Sequence, residues 1–491
     1  MNSDGSGDLP AYNGGDAGVA RGEVFGIAKW FARGGSHVNW YMAHGGNNYR
    51  RLQGAGTRPE YYTGANYQPD GVRNEPFASH TAAFYAALRA IAPAVLSNDA
   101  QVNLQVNLNF SEGGDAWRIT GKQYAFQYGA PGAANSAAFL ENQGDSGVVL
   151  FNGRNYSSAG GSILLVAADG SLVFDTSAVP ASGLSRSWTP TSAEPFAWQA
   201  WTEAPPAPGA SAPPAAPGST VGTTTTAAAA VEQLLLTQDD TEHTYYVTQL
   251  SAALVERALA AAAADGSGSS ALVVTSAKST ALSAFVVGGG AAPVSAYEVS
   301  EDSGGFTFTL ALPSAALRRA SAAGAAVTLA ILSESLGIHK FSSINNGPTP
   351  DSFSTSAIKG ITGKISFAGA DITRNQWTSQ SGLAGEAEPP VWTAAGASRA
   401  AWSPLAGNVS APLSWLRTTF VAPSLSLLSG RNVSASLQLD ATGLSRGHFY
   451  VNDFEISRQW GARLCGSEQC QRYYHMRVRG PRAHTRTRRA H

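Results

Sequence analysis

Residues Gly34 to Asn48 read GGSHVNWYMAHGGNN, and this stretch with its flanks decides the fold. Ser36 to Met42 (SHVNWYM) is richer in β-formers than in helix formers and predicts a short strand. Upstream, Glu23 to Arg33 carries Val24, Ile27, Ala28 and Phe31 at helical spacing, with Gly34-Gly35 as a stop. Downstream, a Gly/Asn/Tyr-rich loop runs over 43–76. Ala78 to Ile91 (ASHTAAFYAALRAI) then predicts a second helix, ended by Pro93. Helix, strand, long loop and helix in this order is the closing rhythm of a (β/α)8 barrel, of which roughly the last quarter or less is present.

From about Asn98 the pattern changes to short alternating strands. Val102–Val106, Gly147–Phe151, Ser162–Val166 and Leu172–Phe174 are examples, separated by Gly, Asn and Ser turns. Pro205 to Ala230 (PPAPGASAPPAAPGSTVGTTTTAAAA) is low-complexity and predicts a flexible or polyproline-II spacer. Short strands resume from Val231, interrupted by an alanine-rich helical run near Ala252–Ala264. A further all-β unit holds Trp377, Trp392, Trp402, Trp415 and Trp460, five of the eleven tryptophans. Clustered in this way without a basic groove, they suit a β-sandwich with aromatic anchors better than a nucleic-acid stacking platform. The expected fold class is therefore multidomain and mostly β: a remnant of a (β/α)8 barrel followed by β-sandwich or jelly-roll domains. The expected boundaries are 1–97 barrel remnant, 98–204 β-domain, 205–230 Pro/Ala-rich linker, 231–346 jelly-roll-like β-domain, 347–476 C-terminal jelly-roll and 477–491 basic tail.

The totals agree with several units rather than one. The chain has 491 residues, 43% hydrophobic and 14% charged, a globular balance too long for one ordinary core. A net charge of −1 gives no field to gather nucleic acid or an anionic membrane, and no apolar run approaches the ~20 residues of a membrane span. The six arginines from Arg477 to His491 make a poor nucleic-acid arm, since nothing else supports such a partner. Cys465 and Cys470 are the only cysteines, too few for a zinc site. A small surface disulfide is the better reading in an oxidising compartment, two free thiols the alternative. Asn109, Asn155, Asn408 and Asn432 each begin an Asn-x-Ser sequon. Met1 to Ala20 is polar and lacks the apolar core of a signal peptide.

The stretch GGSHVNWYMAHGGNN closely resembles the last barrel strand and following loop of family 35 glycoside hydrolases, the β-galactosidases, and the likeness continues to Asn74-Glu75-Pro76. It recurs in chain order at SAAFLEN (136–142), VFDTSAV (173–179), EQLLLTQDDTEHTYYVT (232–248), ILSESLG (331–337), QWTSQSGLAGE (376–386), PLSWLRTTF (412–420), GHFYVNDFEISRQWG (447–461) and QRYYH (471–475). The resemblance implies a retaining enzyme acting on β-galactoside oligo- or polysaccharides, needing no cofactor or metal, and secreted, in the cell wall or in vacuoles or lysosomes as a full-length protein.

Retention needs two carboxyls roughly 5–5.5 Å apart across the glycosidic bond. By resemblance both glutamates sit on earlier barrel strands, and no ENEYG-like string occurs in this chain. Glu23 reads as a helix-start acid complementing the helix dipole. Glu60, Asp70 and Glu75 lie in the barrel-mouth loop, where one can touch sugar but no catalytic pair is framed. No residue here is expected to be catalytic, and the chain alone is expected to be inactive. The resemblance makes Tyr41, Asn48, Tyr61 and Tyr62 candidates for substrate binding: a tyrosine offers a ring face to sugar C–H groups and a hydroxyl to sugar hydroxyls. RPEYYTGANYQPDG departs from the family's commoner string, so which of Tyr61 and Tyr62 is equivalent stays open. Tyr41 can instead pack in the barrel core, and His44, Asn47 and Asn48 can instead shape the Gly45-Gly46 turn. A non-catalytic carbohydrate-binding or adhesion β-protein is the alternative function, and a degenerate gene product another. One physical expectation follows: without the other strands, Phe25, Ile27, Phe31, Val38 and Trp40 have nothing complete to pack against, so residues 1 to about 95 form no stable structure by themselves.

Overall fold

A computed structural model describes residues 17–50, 65–67, 71–103, 123–181, 190, 196–207, 216–276, 281–290, 293–297, 306–322, 326–335, 358–407, 413–421, 437–441, 444, 446–460 and 473–475. The chain divides into two compact units, residues 1–47 with 60–189, and residues 48–59 with 190–491. It is mostly β, and every pairing between the described strands is antiparallel.

The first unit contains α1 (Ala17–Ala32), α2 (Phe77–Ser97) and strands β1 (Ala100–Asn103), β2 (Gln123–Tyr128), β3 (Ala137–Asn142), β4 (Gly147–Phe151), β5 (Arg154–Ser158), β6 (Ser162–Ala167) and β7 (Leu172–Asp175). Five strands form one sheet in the order β1-β2-β3-β6-β7, and β4 pairs with β5 as a separate hairpin. Strand alternation explains the layering. Phe126, Tyr128, Phe139, Ile163 and Leu165 share a core with Val24, Phe31, Phe84 and Ile91 of the helices. Their neighbours Ala125, Ala138, Leu140, Leu164 and Val166 face the other way, onto Val149, Phe151 and Tyr156 of the hairpin. Covered on both faces, β3 is buried at every position. Polar contacts reinforce the helical layer: the Tyr128 hydroxyl donates to the Phe31 carbonyl. The carboxylate of Glu141, buried on β3, holds Arg33 at 2.8 Å and Lys29 at 3.4 Å.

Besides the start of α1, which lies at Ala17 so that Glu23 is inside the helix and not at its head, three expectations change here. Ser36–Met42 is not a strand, because no neighbouring strand among the described residues completes its ladder. Val38 and Trp40 instead pack against the helix–sheet core, with the Trp40 ring 5.5 Å from Phe77 and 5.9 Å from Tyr85. Pro93 lies inside α2 rather than ending it. The buried residues Ala94 and Val95 continue the apolar stripe through the last turn, and that packing offsets the missing backbone hydrogen bond. Third, Phe25, Ile27, Phe31, Val38 and Trp40 do have a partner: the sheet β2-β3-β6 supplies the surface that barrel strands were expected to supply.

The second unit contains β8 (Gln199–Thr202), β9 (Thr224–Ala227), α3 (Gln233–Thr237), β10 (His243–Leu250), α4 (Ala252–Ala264), β11 (Ser269–Ser276), β12 (Ala281–Val286), β13 (Val294–Tyr297), β14 (Phe306–Pro313), α5 (Ser314–Ser321) and β15 (Val327–Glu334). It continues with β16 (Ile361–Phe367), β17 (Ala370–Asp371), β18 (Trp377–Ser381), β19 (Ser403–Pro404), β20 (Ser414–Arg417), β21 (Gln438–Asp440), β22 (Arg446–Val451), β23 (Phe454–Trp460) and β24 (Tyr473–His475). A six-stranded sheet, β13-β12-β15-β10-β18-β9, and a four-stranded sheet, β14-β11-β16-β17, share one apolar core. Tyr246, Leu272, Leu310, Ile331, Phe367 and Trp377 all contribute to it. Trp377 is fully buried, and its indole N–H donates to the Ile372 carbonyl at 3.1 Å.

Two boundaries shift as a result. β9 falls inside the stretch expected to be a spacer, yet it pairs with β18 at the edge of the larger sheet. The run Thr223–Thr226 supplies β-branched side chains, and the hydroxyls of Thr226 and Thr378 meet at 3.0 Å across the pair. The boundary expected at 346/347 runs through the sandwich, because β16 pairs with β11 and β18 with β10.

Candidate functional site

Tyr41 lies in the first unit, on the extended segment after α1. The preceding Trp40 is held inward by Phe77 and Tyr85, whereas Tyr41 is 57% exposed. It is therefore not a packed core residue. Asn48 is half-buried and begins the short segment that belongs to the second unit. There Tyr49 meets Phe454 edge-on with ring centroids 5.4 Å apart, and the Arg50 guanidinium lies 5.3 Å from the same ring. The structure thus assigns Tyr41 and Asn48 to different units. Tyr61, Tyr62, Glu60, Asp70, Cys465, Cys470 and the basic tail lie outside the described residues. Glu75, named with the barrel-mouth acids, accepts from the Ser79 backbone N–H at 2.9 Å and pairs with Arg73 at 3.0 Å, so it caps the start of α2.

The second unit holds a denser constellation that sequence reasoning missed. Glu242 immediately precedes β10, His243 opens it, Glu334 closes β15, and Glu386 sits in the turn after β18. Arg446, His448, Glu455 and Arg458 come from the hairpin β22–β23. The Arg458 guanidinium donates to Glu242. His448 lies between Glu242 at 3.4 Å and Glu455 at 2.8 Å. His243 lies between Glu386 at 3.4 Å and Glu334 at 3.9 Å, and Arg446 binds Glu334 at 2.7 Å. Four carboxylates thus meet two guanidiniums and two imidazoles, and the charges balance when both imidazoles are protonated.

Electrostatics favour that state. Burial alone would raise the Glu242 carboxyl, but Arg458 and His448 beside it hold it well below the usual carboxylate range. Burial alone would lower His448, but the hydrogen-bonded Glu242 and Glu455 push it up to about 10. His243 is likewise raised against its burial by Glu386 and Glu334. Beside the cluster, Glu203 accepts from the Gly385 backbone N–H at 3.0 Å and the Trp415 indole N–H at 2.9 Å, and burial raises its carboxyl. Trp392 stacks on Tyr450 with centroids 4.2 Å apart at 12° and leans on Trp415 at 5.7 Å.

Each carboxylate here already has cationic or N–H partners, so the arrangement is built to hold the hairpin β22–β23 against the sandwich rather than to attack a substrate. Among the described residues no group of His, Cys, Asp and Glu is placed to hold a metal ion, and no helix is long and apolar enough to cross a membrane. The signal that could have found the cluster is charge within strand patterns: Glu-His at the head of HTYYVTQL, and Arg458 inside FEISRQW.

No protein-family profile matches the chain. Curated plant proteins do. Beta-galactosidase 14 of Arabidopsis thaliana is 29% identical over 167 residues, covering 34% of this chain and 17% of that protein. Beta-galactosidase 11 of Oryza sativa subsp. japonica is 31% identical over 156 residues, covering 31% of this chain and 17% of that protein. Beta-galactosidase 11 of Arabidopsis thaliana is 26% identical over 168 residues, 34% of this chain and 18% of that protein. About a third of the chain is therefore similar to part of plant β-galactosidases, as the resemblance to family 35 implied. The matched part spans under a fifth of these relatives' length.

Proposed function

We propose that this chain is the C-terminal part of a β-galactosidase-type glycoside hydrolase that removes terminal β-D-galactose with retention. The similarity to plant β-galactosidases carries the reading. The surface position of Tyr41 supports it further, because that residue is the one the resemblance assigns to galactose. In this reading the nucleophile and the acid/base lie upstream, and this chain contributes a substrate contact and the β-rich supports. The compartment proposed is the secretory route, ending outside the cell or in a vacuole or lysosome.

The test is hydrolysis of chromogenic β-galactosides and β-glucosides by this chain alone and by this chain fused behind the barrel half of a plant β-galactosidase. The expected result is turnover of the galactoside by the fusion and none by the chain alone. Turnover of glucosides but not galactosides would sink the specificity, and turnover by the chain alone would sink the assignment of catalysis upstream. The alternative, a non-catalytic carbohydrate-binding β-protein, predicts retention of the chain alone on immobilised galactose.

A further inference from the structure

The hairpin β4–β5 turns at Asn152-Gly153, both with positive φ (49° and 74°), the geometry of a tight two-residue turn. Val149, Phe151, Tyr156 and Ser158 point into the unit and are buried. By alternation the outer face carries Val148 and Leu150 on one strand and Asn155 and Ser157 on the other. Val148 is 50% exposed and Leu150 43%, an apolar pair on a two-stranded ribbon. Such a face invites pairing with a second chain. The register sets Leu150 directly opposite Asn155 and Val148 directly opposite Ser157.

Asn155-Tyr156-Ser157 is an acceptor sequon with Asn155 and Ser157 both exposed on that outer face. We propose that Asn155 is an N-glycosylation site and that its glycan covers the Val148–Leu150 pair. The side-chain amide nitrogen attacks the anomeric carbon of a lipid-diphosphate-linked oligosaccharide. The new N–C bond replaces the C–O bond to the diphosphate, the amide gives up one proton, and the lipid diphosphate leaves. The first sugar then sits beside two exposed branched side chains, and its C–H groups lie on them. This accounts for a half-open apolar pair on a hairpin whose other face is fully packed.

The test is production of the full chain behind a cleavable secretion signal in a eukaryotic host, followed by peptide:N-glycosidase digestion in heavy-oxygen water and peptide mass spectrometry. The expected result is Asn155 converted to heavy-oxygen Asp, with the label lost in both Asn155→Gln and Ser157→Ala and kept in Ser157→Thr. Recovery of the peptide only with unmodified Asn155 would overturn the site. Light scattering tests the cover: the deglycosylated protein and Asn155→Gln should self-associate more than the glycosylated protein, and Leu150→Thr in the Asn155→Gln background should reverse this. Equal association in all forms would overturn the shielding.

Discussion

The guanidinium of Arg458, only 2% exposed, donates to the carboxylate of Glu242, and this one pair joins β23 to the residue immediately before β10. Both charges are out of water, so the pair costs desolvation and cannot be treated as a surface bridge. Removing one partner is the damaging change. Arg458→Met leaves Glu242 buried with His448 as its remaining cation and is expected to cost about 3–5 kcal/mol. Glu242→Gln combined with Arg458→Met should cost less than the sum of the two single changes, because no stranded charge remains. Urea unfolding followed by tryptophan fluorescence measures all four forms. A loss below about 1 kcal/mol for Arg458→Met would place the pair among weak surface contacts instead.

The same cluster fixes the pH at which the second unit is most stable. His448 has its folded pKa raised to about 10, so its contribution is complete below the ordinary histidine value of 6.5 and is lost as pH rises towards 10. Glu242 is depressed, so its contribution is complete above the ordinary value of 4.5 and is lost as pH falls below it. The two limbs leave a maximum between about 4.5 and 6.5, a mildly acidic window. Thermal melts of the chain from pH 4 to pH 10 should show the transition involving Trp377 peaking there. His448→Gln should flatten the alkaline limb and leave the acid limb in place. A transition temperature that keeps rising to pH 9 would contradict the charge assignment.

How much of this was legible in the sequence depends on whether the signal was local. The helix at Ala252–Ala264 and the strands Gly147–Phe151 and Ser162–Ala167 were readable because spacing and turn residues fix them within a few positions. The failures share a cause outside the local window. Ser36–Met42 has the composition of a strand, but a ladder needs a partner, and none of the described strands is one. Pro93 is a helix breaker by itself, yet α2 continues because Ala94 and Val95 reach the same core as Phe84. The Pro/Ala-rich stretch hid β9, whose four residues are only an edge for β18. Tyr41 is proposed as a sugar contact by resemblance alone. Charges inside the strand patterns at Glu242-His243 and Arg458 hinted at the Glu242–His243–Glu334–Glu386–His448 cluster, but its members lie far apart in the chain, so no single segment shows which charges meet.

His80 predicts the opposite pH trend for the first unit. It is buried on α2, with its Nε2 donating to the Thr176 carbonyl at 3.0 Å and its ring 5.2 Å from Phe174. Burial lowers its pKa, only partly opposed by the Thr176 carbonyl and Asp175. A histidine held neutral takes up a proton more readily when unfolded. Its contribution is therefore present above about 6.5 and is lost as pH falls below that value. Amide exchange at pH 5 and pH 7 should show α2 and β7 less protected at pH 5, while β10 shows no such loss. His80→Gln keeps an N–H donor for Thr176 and should remove the difference. Equal protection of α2 at both pH values would show that His80 is not held neutral.

Whether the segment 17–97 is integral to the first unit or merely leans on it can be decided at Phe84. Its side chain is fully buried, its ring lies 5.6 Å from Phe174 of β7, and it shares a core with Phe31, Phe139 and Leu165. If the helices and the sheet form one cooperative layer pair, Phe84→Ala opens a cavity in their common core and costs about 3–5 kcal/mol. Protection would then fall in β3 and β6 as well as in α2, because those strands lose the surface that covers one of their faces. If instead the helices sit loosely on a sheet that is stable alone, α2 would lose protection while Leu140 and Leu164, which face the hairpin β4–β5, kept theirs. The all-buried pattern of β3 argues for the first outcome, since a strand apolar on both faces cannot leave either one to water. Amide exchange of Phe84→Ala, read at β3 and α2 together, separates the two.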